Sequence, residues 1–271
     1  MGVRLRAMTG HARVHGLDIA YERHGQGPPL VLLHGALSDS RFWRRQLEGL
    51  AGEFTVMAWD EPGAGHSSDP PTDFTLADYA DCLAELIETL NLAPAHVAGL
   101  SWGGVVAQEL YERAPRCVAS LILADTYAGW RGSLSDEECD ARLAAAGQLE
   151  TLPRDEFAKA YLPGVLADDA PPHLVEELHT MMRDFHPASA RIVAPLIAAC
   201  DIRDRLPRID VPTLLIWGEQ DARSPLRVAE EFHDAIPNSR LVVIPNSGHC
   251  SSMEQPERFN AAVREFCLAT G

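Results

Sequence analysis

The turn from strand to helix that organises this chain is Val97-Ala98-Gly99-Leu100-Ser101-Trp102-Gly103-Gly104. An apolar run ends in a serine that stands between two glycines, and a helix-forming segment follows at once. This is a G-x-S-x-G pattern in a strand–turn–helix context, where a sharp turn exposes the serine hydroxyl above the end of a sheet. Larger side chains two residues to either side would clash across so tight a turn. The pattern therefore predicts that Ser101 is a nucleophile.

Two further strand-like runs end in the polar residues that a serine nucleophile requires. A serine is a weak nucleophile without a base, and the base needs an acid that orients it. The run 213–217 leads into Asp221, and the run 240–245 leads into His249. The order serine, acid, histidine is that of hydrolases whose nucleophile lies at such a turn. We therefore predict a catalytic triad of Ser101, Asp221 and His249.

A second acid also ends a strand-like run. Asp125 follows the run 118–124 and is an alternative partner for the histidine. We favour Asp221 because it lies on a loop between a strand end and the helix start at Ser224-Pro225, which is expected to cap that helix. For Asp125 the expected role is to brace the entry to the next segment by accepting backbone N–H groups of the residues that follow it.

Four blocks of sequence resemble the α/β-hydrolase superfamily, and the resemblance extends from about Asp18 to Phe266. The blocks are His34-Gly35-Ala36-Leu37, Asp60-Glu61-Pro62-Gly63-Ala64-Gly65-His66-Ser67, the turn around Ser101, and Trp217-Gly218-Glu219-Gln220-Asp221 together with Ser247-Gly248-His249. The second block has Pro62 where an arginine is usual, so no named subfamily is implied. The resemblance implies the fold and the triad, but it does not specify the substrate, because this scaffold hosts many chemistries.

The same resemblance implies an oxyanion hole. One donor is the backbone N–H of Trp102, at the head of the helix that follows the nucleophile, and the second comes from the loop after the first parallel strand. We assign the second donor to Ala36, with Leu37 as the neighbour that could replace it. His34 is expected to fix this loop through hydrogen bonds rather than to act in catalysis.

Strand-like and helical patterns alternate along most of the chain, which predicts an α/β fold with a mostly parallel central sheet and helices on both faces. A capping-box pattern at Thr75 and Asp78 marks one helix start. The alternation fails over 127–208. We therefore predict an α/β-hydrolase core of residues 1–126 and 209–271, and a helical lid of residues 127–208 inserted in it. Such an insertion lies above the site at the carboxyl ends of the strands.

Three side chains are assigned to the substrate cavity, namely Leu37 from the loop after the first parallel strand and Tyr127 and Trp130 from the entry to the lid. Aromatic and apolar lid residues further along, from Phe157 to Ile192, either line the ceiling of this cavity or form the lid's own small core. The core is the more ordinary role for most of them.

The composition bears on partners and location. The formal net charge of −16 repels phosphate backbones and argues against nucleic-acid binding. No apolar run is long enough to span a membrane, and the first fourteen residues lack the apolar core of a signal peptide, so we expect a cytoplasmic protein. The six cysteines have no C-x-x-C pair and are expected to be reduced, with Cys250 a packing residue. No metal-binding or dinucleotide-binding pattern occurs, so we expect no metal and no cofactor.

The leading functional hypothesis is a hydrolase that cleaves a small carboxylic ester or lactone through an acyl-enzyme on Ser101. The chain is also similar to enol-lactone hydrolases and to carbon–carbon hydrolases of aromatic degradation, although the latter usually have a longer glycine-rich loop where this chain has residues 34–39. A hypothesis of another class is a receptor-like homologue that binds a ligand without turning it over. The physiological substrate and the oligomeric state stay open.

Overall fold

A computed structural model describes residues 8–149 and 152–270 of the chain. Its centre is an eight-stranded sheet with the strand order β1-β2-β4-β3-β5-β6-β7-β8. The strands are β1 (Met8–Val14), β2 (Leu17–His24), β3 (Pro29–Leu33), β4 (Thr55–Trp59), β5 (Ala95–Leu100), β6 (Val118–Ala124), β7 (Thr213–Gly218) and β8 (Ser239–Ile244). Strand β2 is antiparallel to β1 and β4, and the remaining neighbours are parallel. The predicted α/β class and mostly parallel sheet are confirmed.

Helices cover both faces of this sheet. They are α1 (Arg44–Gly49), α2 (Leu76–Thr89), α3 (Trp102–Arg113), α8 (Leu226–Ala235), α9 (Ser251–Glu254) and α10 (Pro256–Thr270). The sequence of strand β3 is apolar throughout because both of its faces are buried. Val31 and Leu33 pack into the core formed with α2, α3 and α8, whereas Leu30 and Leu32 pack into the core formed with α1 and α10. A strand buried on both faces has no polar alternation, as expected for a parallel sheet.

The segment between β6 and β7 contains four further helices, and its described residues form no strand. They are α4 (Asp136–Leu149), α5 (Arg154–Tyr161), α6 (Pro172–Asp184) and α7 (Pro187–Ala199). Leu178 of α6 joins the core on the α1 side of the sheet, whereas Val193 of α7 joins the core on the α3 side. The segment therefore straddles the carboxyl ends of the strands. Residues 1–7 of the predicted core lie outside the described residues.

Two predicted helix starts have different outcomes. The capping box is confirmed, because the Thr75 hydroxyl accepts the Asp78 N–H and the Asp78 carboxylate accepts the Thr75 N–H.

The predicted cap at Ser224 was wrong. Helix α8 begins without a side-chain cap, and Ser224 Oγ donates instead to the buried carbonyl oxygen of Thr126 at 2.6 Å. None of the described helices is long and apolar enough to cross a membrane.

Candidate active site

Ser101 occupies the turn between β5 and α3 with φ 53° and ψ −118°. A positive φ is uncommon for a residue with a side chain and persists only where neighbouring groups hold it. Here the Ser101 N–H donates to the carbonyl oxygen of Ala124 at 3.0 Å, and Thr126 Oγ1 donates to the carbonyl oxygen of Ser101 at 2.5 Å. The end of β6 and the residues after it therefore fix the turn, and Ser101 lines a cavity above the sheet.

The glycines of this turn are required by close backbone approach. A Cβ atom on Gly99 would lie 2.3 Å from the Gly103 carbonyl oxygen, and one on Gly103 would lie 2.4 Å from the Leu33 carbonyl oxygen. Backbone cannot move aside as a flexible side chain can. The motif thus brings α3 into direct contact with the strands beneath it.

We expect Gly99→Ala to lower the free energy of unfolding by about 3 kcal/mol, because the new methyl group has no space. Gly147→Ala in α4 is a matched control, since no heavy atom lies within 4 Å of its Cβ position. There we expect a change within about 1 kcal/mol in the stabilising direction, from the higher helix propensity of alanine. Urea unfolding of both variants measures the difference. Equal effects at the two positions would contradict this account of the turn.

The two predicted oxyanion-hole donors lie at the same end of the sheet. Trp102 is the first residue of α3, so its backbone N–H has no acceptor within the helix. Ala36 belongs to the loop after β3 and lines the same cavity as Ser101. The buried His34 holds this loop, since its Nδ1–H donates to the Gly35 carbonyl oxygen at 2.8 Å and its Nε2 accepts the Glu61 N–H at 3.1 Å. Burial lowers the pKa of His34, which favours the neutral ring that this pattern requires.

One buried pair of side chains beside the Ser101 turn was not predicted. Trp102 Nε1–H donates to Glu61 Oε2 at 2.8 Å, and both side chains are buried. The Trp102 ring also packs edge-on against Tyr79, with 5.5 Å between ring centroids. Burial raises the pKa of Glu61 to about 8, and the hydrogen bond from Trp102 offsets only part of this increase. Glu61 therefore anchors Trp102, the residue whose backbone N–H is the first predicted oxyanion-hole donor.

The raised pKa of Glu61 predicts a pH-dependent stability. Between its ordinary value of 4.5 and about 8 the folded chain binds a proton that the unfolded chain has released. The free energy of unfolding should therefore fall as pH rises through this window, by up to about 1.4 kcal/mol per pH unit from this group. We expect Glu61→Gln to flatten the dependence, because the amide is neutral and its oxygen still accepts from Trp102. Urea unfolding from pH 5 to 9 tests this, and parallel curves for the two proteins would refute it.

Asp221 and His249 form a buried pair. Asp221 Oδ2 accepts from His249 Nδ1 at 2.8 Å. The other carboxylate oxygen, Oδ1, accepts the N–H groups of Arg223 at 2.7 Å and Ser224 at 2.8 Å. These bonds fix the direction of the carboxylate, and the carboxylate in turn favours the histidine tautomer with Nδ1 protonated and Nε2 free to accept a proton. The structure therefore places His249 next to the acid that the sequence favoured.

Asp125 has a different role from the one expected. It is fully buried, and its Oδ1 accepts the Gly218 N–H at 2.7 Å while its Oδ2 lies 2.6 Å from Ser251 Oγ. The prediction that Asp125 braces the residues just after it was wrong, because its side chain crosses to the end of β7 and the start of α9. Burial and the nearby Asp221 charge raise the pKa of Asp125 well above its usual range. It thus joins three elements below the site.

The segment inserted between β6 and β7 contacts the loop that carries His249 (residues 245–250, the histidine loop). The His249 N–H donates to the Val165 carbonyl oxygen at 2.9 Å. The Glu254 carboxylate accepts the N–H groups of Ala167 and Gly248, each at 2.9 Å. Residues on both sides of the cavity are therefore hydrogen-bonded to one another.

The cavity that joins these residues has a volume of about 100 Å³. Ser101, His249 and Leu37 line it from the sheet side, and Tyr127 and Trp130 line it from the entry to the inserted segment. The later residues of the predicted lid fall into two groups. Phe157, Tyr161 and Met182 line the cavity, whereas Met181, Phe185 and Ile192 do not.

Cys250 also reaches this cavity, and burial raises the pKa of its thiol well above the usual range, which disfavours the reactive thiolate. Across residues 8–149 and 152–270, no three His, Cys, Asp or Glu side chains converge in a way that could hold a metal ion.

Comparison with known proteins identifies the family. Residues 30–262 match the sequence model of the alpha/beta hydrolase family, and the chain belongs to this family. A thermophilic esterase from Thermogutta terrifontis, solved with malate bound, is 31% identical with a TM-score of 0.88 over 97% of this chain and 99% of that one. The enol-lactonase of Burkholderia xenovorans LB400 is 26% identical with a TM-score of 0.87 over 96% of this chain and 100% of that one.

A curated relative is also similar over most of its length. It is RutD of Azorhizobium caulinodans, whose name carries a provisional carbamate hydrolase assignment. The two chains are 30% identical over 253 residues, which cover 92% of this chain and 95% of that protein. The names of these three proteins thus refer to an esterase, an enol-lactonase and, provisionally, a carbamate hydrolase.

Proposed function

We propose that the chain hydrolyses a small carboxylic ester or lactone through an acyl-enzyme on Ser101, with no cofactor. The observation that carries this proposal is the shared cavity. A serine held at a strained turn and a histidine hydrogen-bonded at 2.8 Å to a buried carboxylate both line it. Esterase and enol-lactonase activities in the names of two structural neighbours support the same reaction class.

In the proposed reaction Ser101 Oγ attacks the carbonyl carbon of the substrate while His249 Nε2 accepts the hydroxyl proton. The Asp221 carboxylate stabilises the resulting imidazolium through Nδ1–H. The backbone N–H groups of Trp102 and Ala36 stabilise the oxyanion, each by about 3 kcal/mol in the transition state. His249 then donates its proton to the departing alkoxide, and a water molecule activated by the same histidine releases the acid. For a lactone the alkoxide stays attached to the acyl group.

Residues 127–208 act in this proposal as a lid over the core formed by residues 1–126 and 209–271. Two observations support the division. The segment lies between β6 and β7 along the chain although these strands are neighbours in the sheet, and its helices supply one whole side of the cavity. An apolar enclosure excludes water from the oxyanion and strengthens the electrostatic interactions around it.

Turnover of p-nitrophenyl esters of graded chain length, together with simple lactones, tests the proposed reaction. We expect many turnovers per protein molecule, with selectivity set by the acyl chain. A receptor-like homologue would release at most one equivalent of p-nitrophenol and then stop. A p-nitrophenyl carbamate in the same assay separates ester from carbamate preference. Absence of sustained turnover on every member of the series would overturn the proposal.

A further inference from the structure

Two arginine side chains reach the cavity, Arg142 from α4 and Arg223 from the loop that carries Asp221. A cation in an otherwise apolar enclosure is costly unless an opposite charge or hydrogen bonds compensate it. The groups around each guanidinium therefore indicate whether it has a structural role or can bind a ligand.

Arg223 is accounted for by its contacts with the protein. Its Nη2 donates to the carbonyl oxygens of Tyr161 at 2.5 Å and Pro163 at 3.1 Å. Its guanidinium also lies 4.6 Å from the centroid of the Tyr161 ring. Arg223 thus fastens the inserted segment to the loop that carries the triad acid.

Among the described residues, Arg142 donates hydrogen bonds only to neutral oxygen atoms. Its Nη1 donates to Tyr127 Oη at 3.1 Å, and its Nη2 donates to the Arg223 carbonyl oxygen at 2.7 Å. The guanidinium lies 5.9 Å and 5.7 Å from the ring centroids of Tyr127 and Trp130. These contacts hold the guanidinium in place, and three of its five N–H groups have no acceptor within residues 8–149 and 152–270. Arg142 is therefore positioned but not neutralised.

The lack of an acidic partner is notable in a chain with a formal net charge of −16. In the part of the chain that the structure describes, no carboxylate forms an ion pair with Arg142, whereas Arg45 pairs with Glu177 at 2.8 Å. The acid one turn earlier on α4, Glu138, is engaged by Arg227 at 3.2 Å and by the Ser135 N–H at 2.8 Å. The charge of Glu138 is near enough to interact with Arg142, but Glu138 forms no hydrogen bond with it. An anion that enters the cavity would meet a half-buried guanidinium that is not ion-paired with any described carboxylate.

A second group in the same cavity is also without a partner. Ser38 lies in the loop just after the oxyanion-hole residue Ala36, and it is only 7% exposed. Its buried Oγ forms no hydrogen bond within residues 8–149 and 152–270. Buried polar atoms are nearly always hydrogen-bonded in folded proteins, so a polar ligand is the natural partner for this hydroxyl. The cavity is thus equipped for a ligand that is polar as well as apolar.

We propose that Arg142 binds a free carboxylate of the substrate, so that the preferred substrates are monoesters of dicarboxylic acids or lactones that carry a carboxylate. This inference rests on the proposed hydrolysis and names its substrate class. The planar guanidinium suits a carboxylate because two parallel N–H groups can donate to its two oxygens. The apolar walls then accommodate the carbon chain between this carboxylate and the scissile carbonyl.

Matched pairs of substrates test the proposal. The monomethyl esters of succinate, glutarate and adipate are compared with uncharged methyl esters of equal chain length, and hydrolysis is followed by acid release. We expect the wild-type kcat/KM for the best monoester to exceed that of its uncharged partner at least about tenfold. Arg142→Met should lower kcat/KM for the monoester roughly 30-fold, the scale of a lost desolvated ion pair, and change it less than about twofold for the uncharged ester. Arg142→Lys should lie between, because it keeps the charge and loses the fork.

Arg191→Met is the matched control, because Arg191 is an exposed arginine of the same lid outside the cavity. It should leave both activities unchanged. A binding measurement separates this proposal from the reaction itself: the affinity of free glutarate or adipate for the Ser101→Ala protein should fall roughly 30-fold when Arg142 is also replaced by methionine.

Equal affinities of the diacid for the Ser101→Ala proteins with and without Arg142→Met, together with no preference for the charged esters, would refute the carboxylate site. The proposed ester hydrolysis would be unaffected by that result. The opposite result is Arg142-dependent binding of the diacid with no hydrolysis of any ester. It would support the anion site and refute the proposed reaction.

Discussion

Replacing Ser101 by alanine is expected to lower kcat for ester hydrolysis by at least about 10⁴-fold, because the attacking oxygen is lost while the oxyanion hole and the binding cavity remain. The hydroxyl faces the cavity rather than the packed core, so the free energy of unfolding should change by less than about 1 kcal/mol. Steady-state kinetics on p-nitrophenyl acetate measure the change in kcat. Urea unfolding of the same preparation measures the change in the free energy of unfolding.

The control for this variant is Ser189→Ala, which removes another hydroxyl from the wall of the same cavity. It should retain most of the activity. Multiple turnover by the purified Ser101→Ala protein at more than a few per cent of the wild-type rate would show that the nucleophile lies elsewhere.

Asp221→Asn is expected to lower kcat by roughly 10⁴-fold, because an amide at this position leaves the histidine in the wrong tautomer. Asp221 Oδ1 is held by two backbone N–H groups, so its place is taken by the amide oxygen and the NH₂ group faces His249 Nδ1. Nδ1 must then accept rather than donate, and Nε2 carries the proton. The base is lost although the geometry is preserved.

Asp125→Asn is the paired variant and should cost less than about tenfold in kcat. Its carboxyl group is buried, and burial raises its pKa, so a neutral amide of the same shape should be tolerated there. It contacts Gly218 and Ser251 rather than the histidine. Side-by-side kinetics in which Asp125→Asn is the more damaging change would transfer the role of triad acid to Asp125.

The elements that carry the candidate triad were predictable because each follows from a local pattern. Parallel strands are apolar throughout and end at the same edge of the sheet, so the polar residues after β5, β7 and β8 had to converge there. Two of these strands were predicted to within one residue. Strand β7 continues through Gly218, and β8 spans Ser239–Ile244. The role of His34 in holding its loop was also predictable, because the family pattern has a His-Gly turn at the end of that strand.

The features that were missed depend on contacts between distant parts of the chain. Glu61 and Trp102 are 41 residues apart, and nothing near Glu61 in the sequence marks it as buried beside the nucleophile turn. Arg142 lies on a helix with weak amphipathic patterning, so periodicity does not show which of its faces meets the cavity. Asp125 was misassigned because a strand end fixes where a side chain starts but not which neighbour it reaches.

The hydrogen bonds between residues 165–167 and the histidine loop limit how this enzyme scaffold could be rebuilt. A chimaera that exchanged the whole of residues 127–208 for the corresponding part of a relative would also exchange the carbonyl group that holds His249 and the N–H group that meets Glu254. A graft confined to α4 would leave both groups in place while replacing Arg142. The specificity should therefore be changed through α4, whereas residues 165–167 should be kept together with the loop that carries His249.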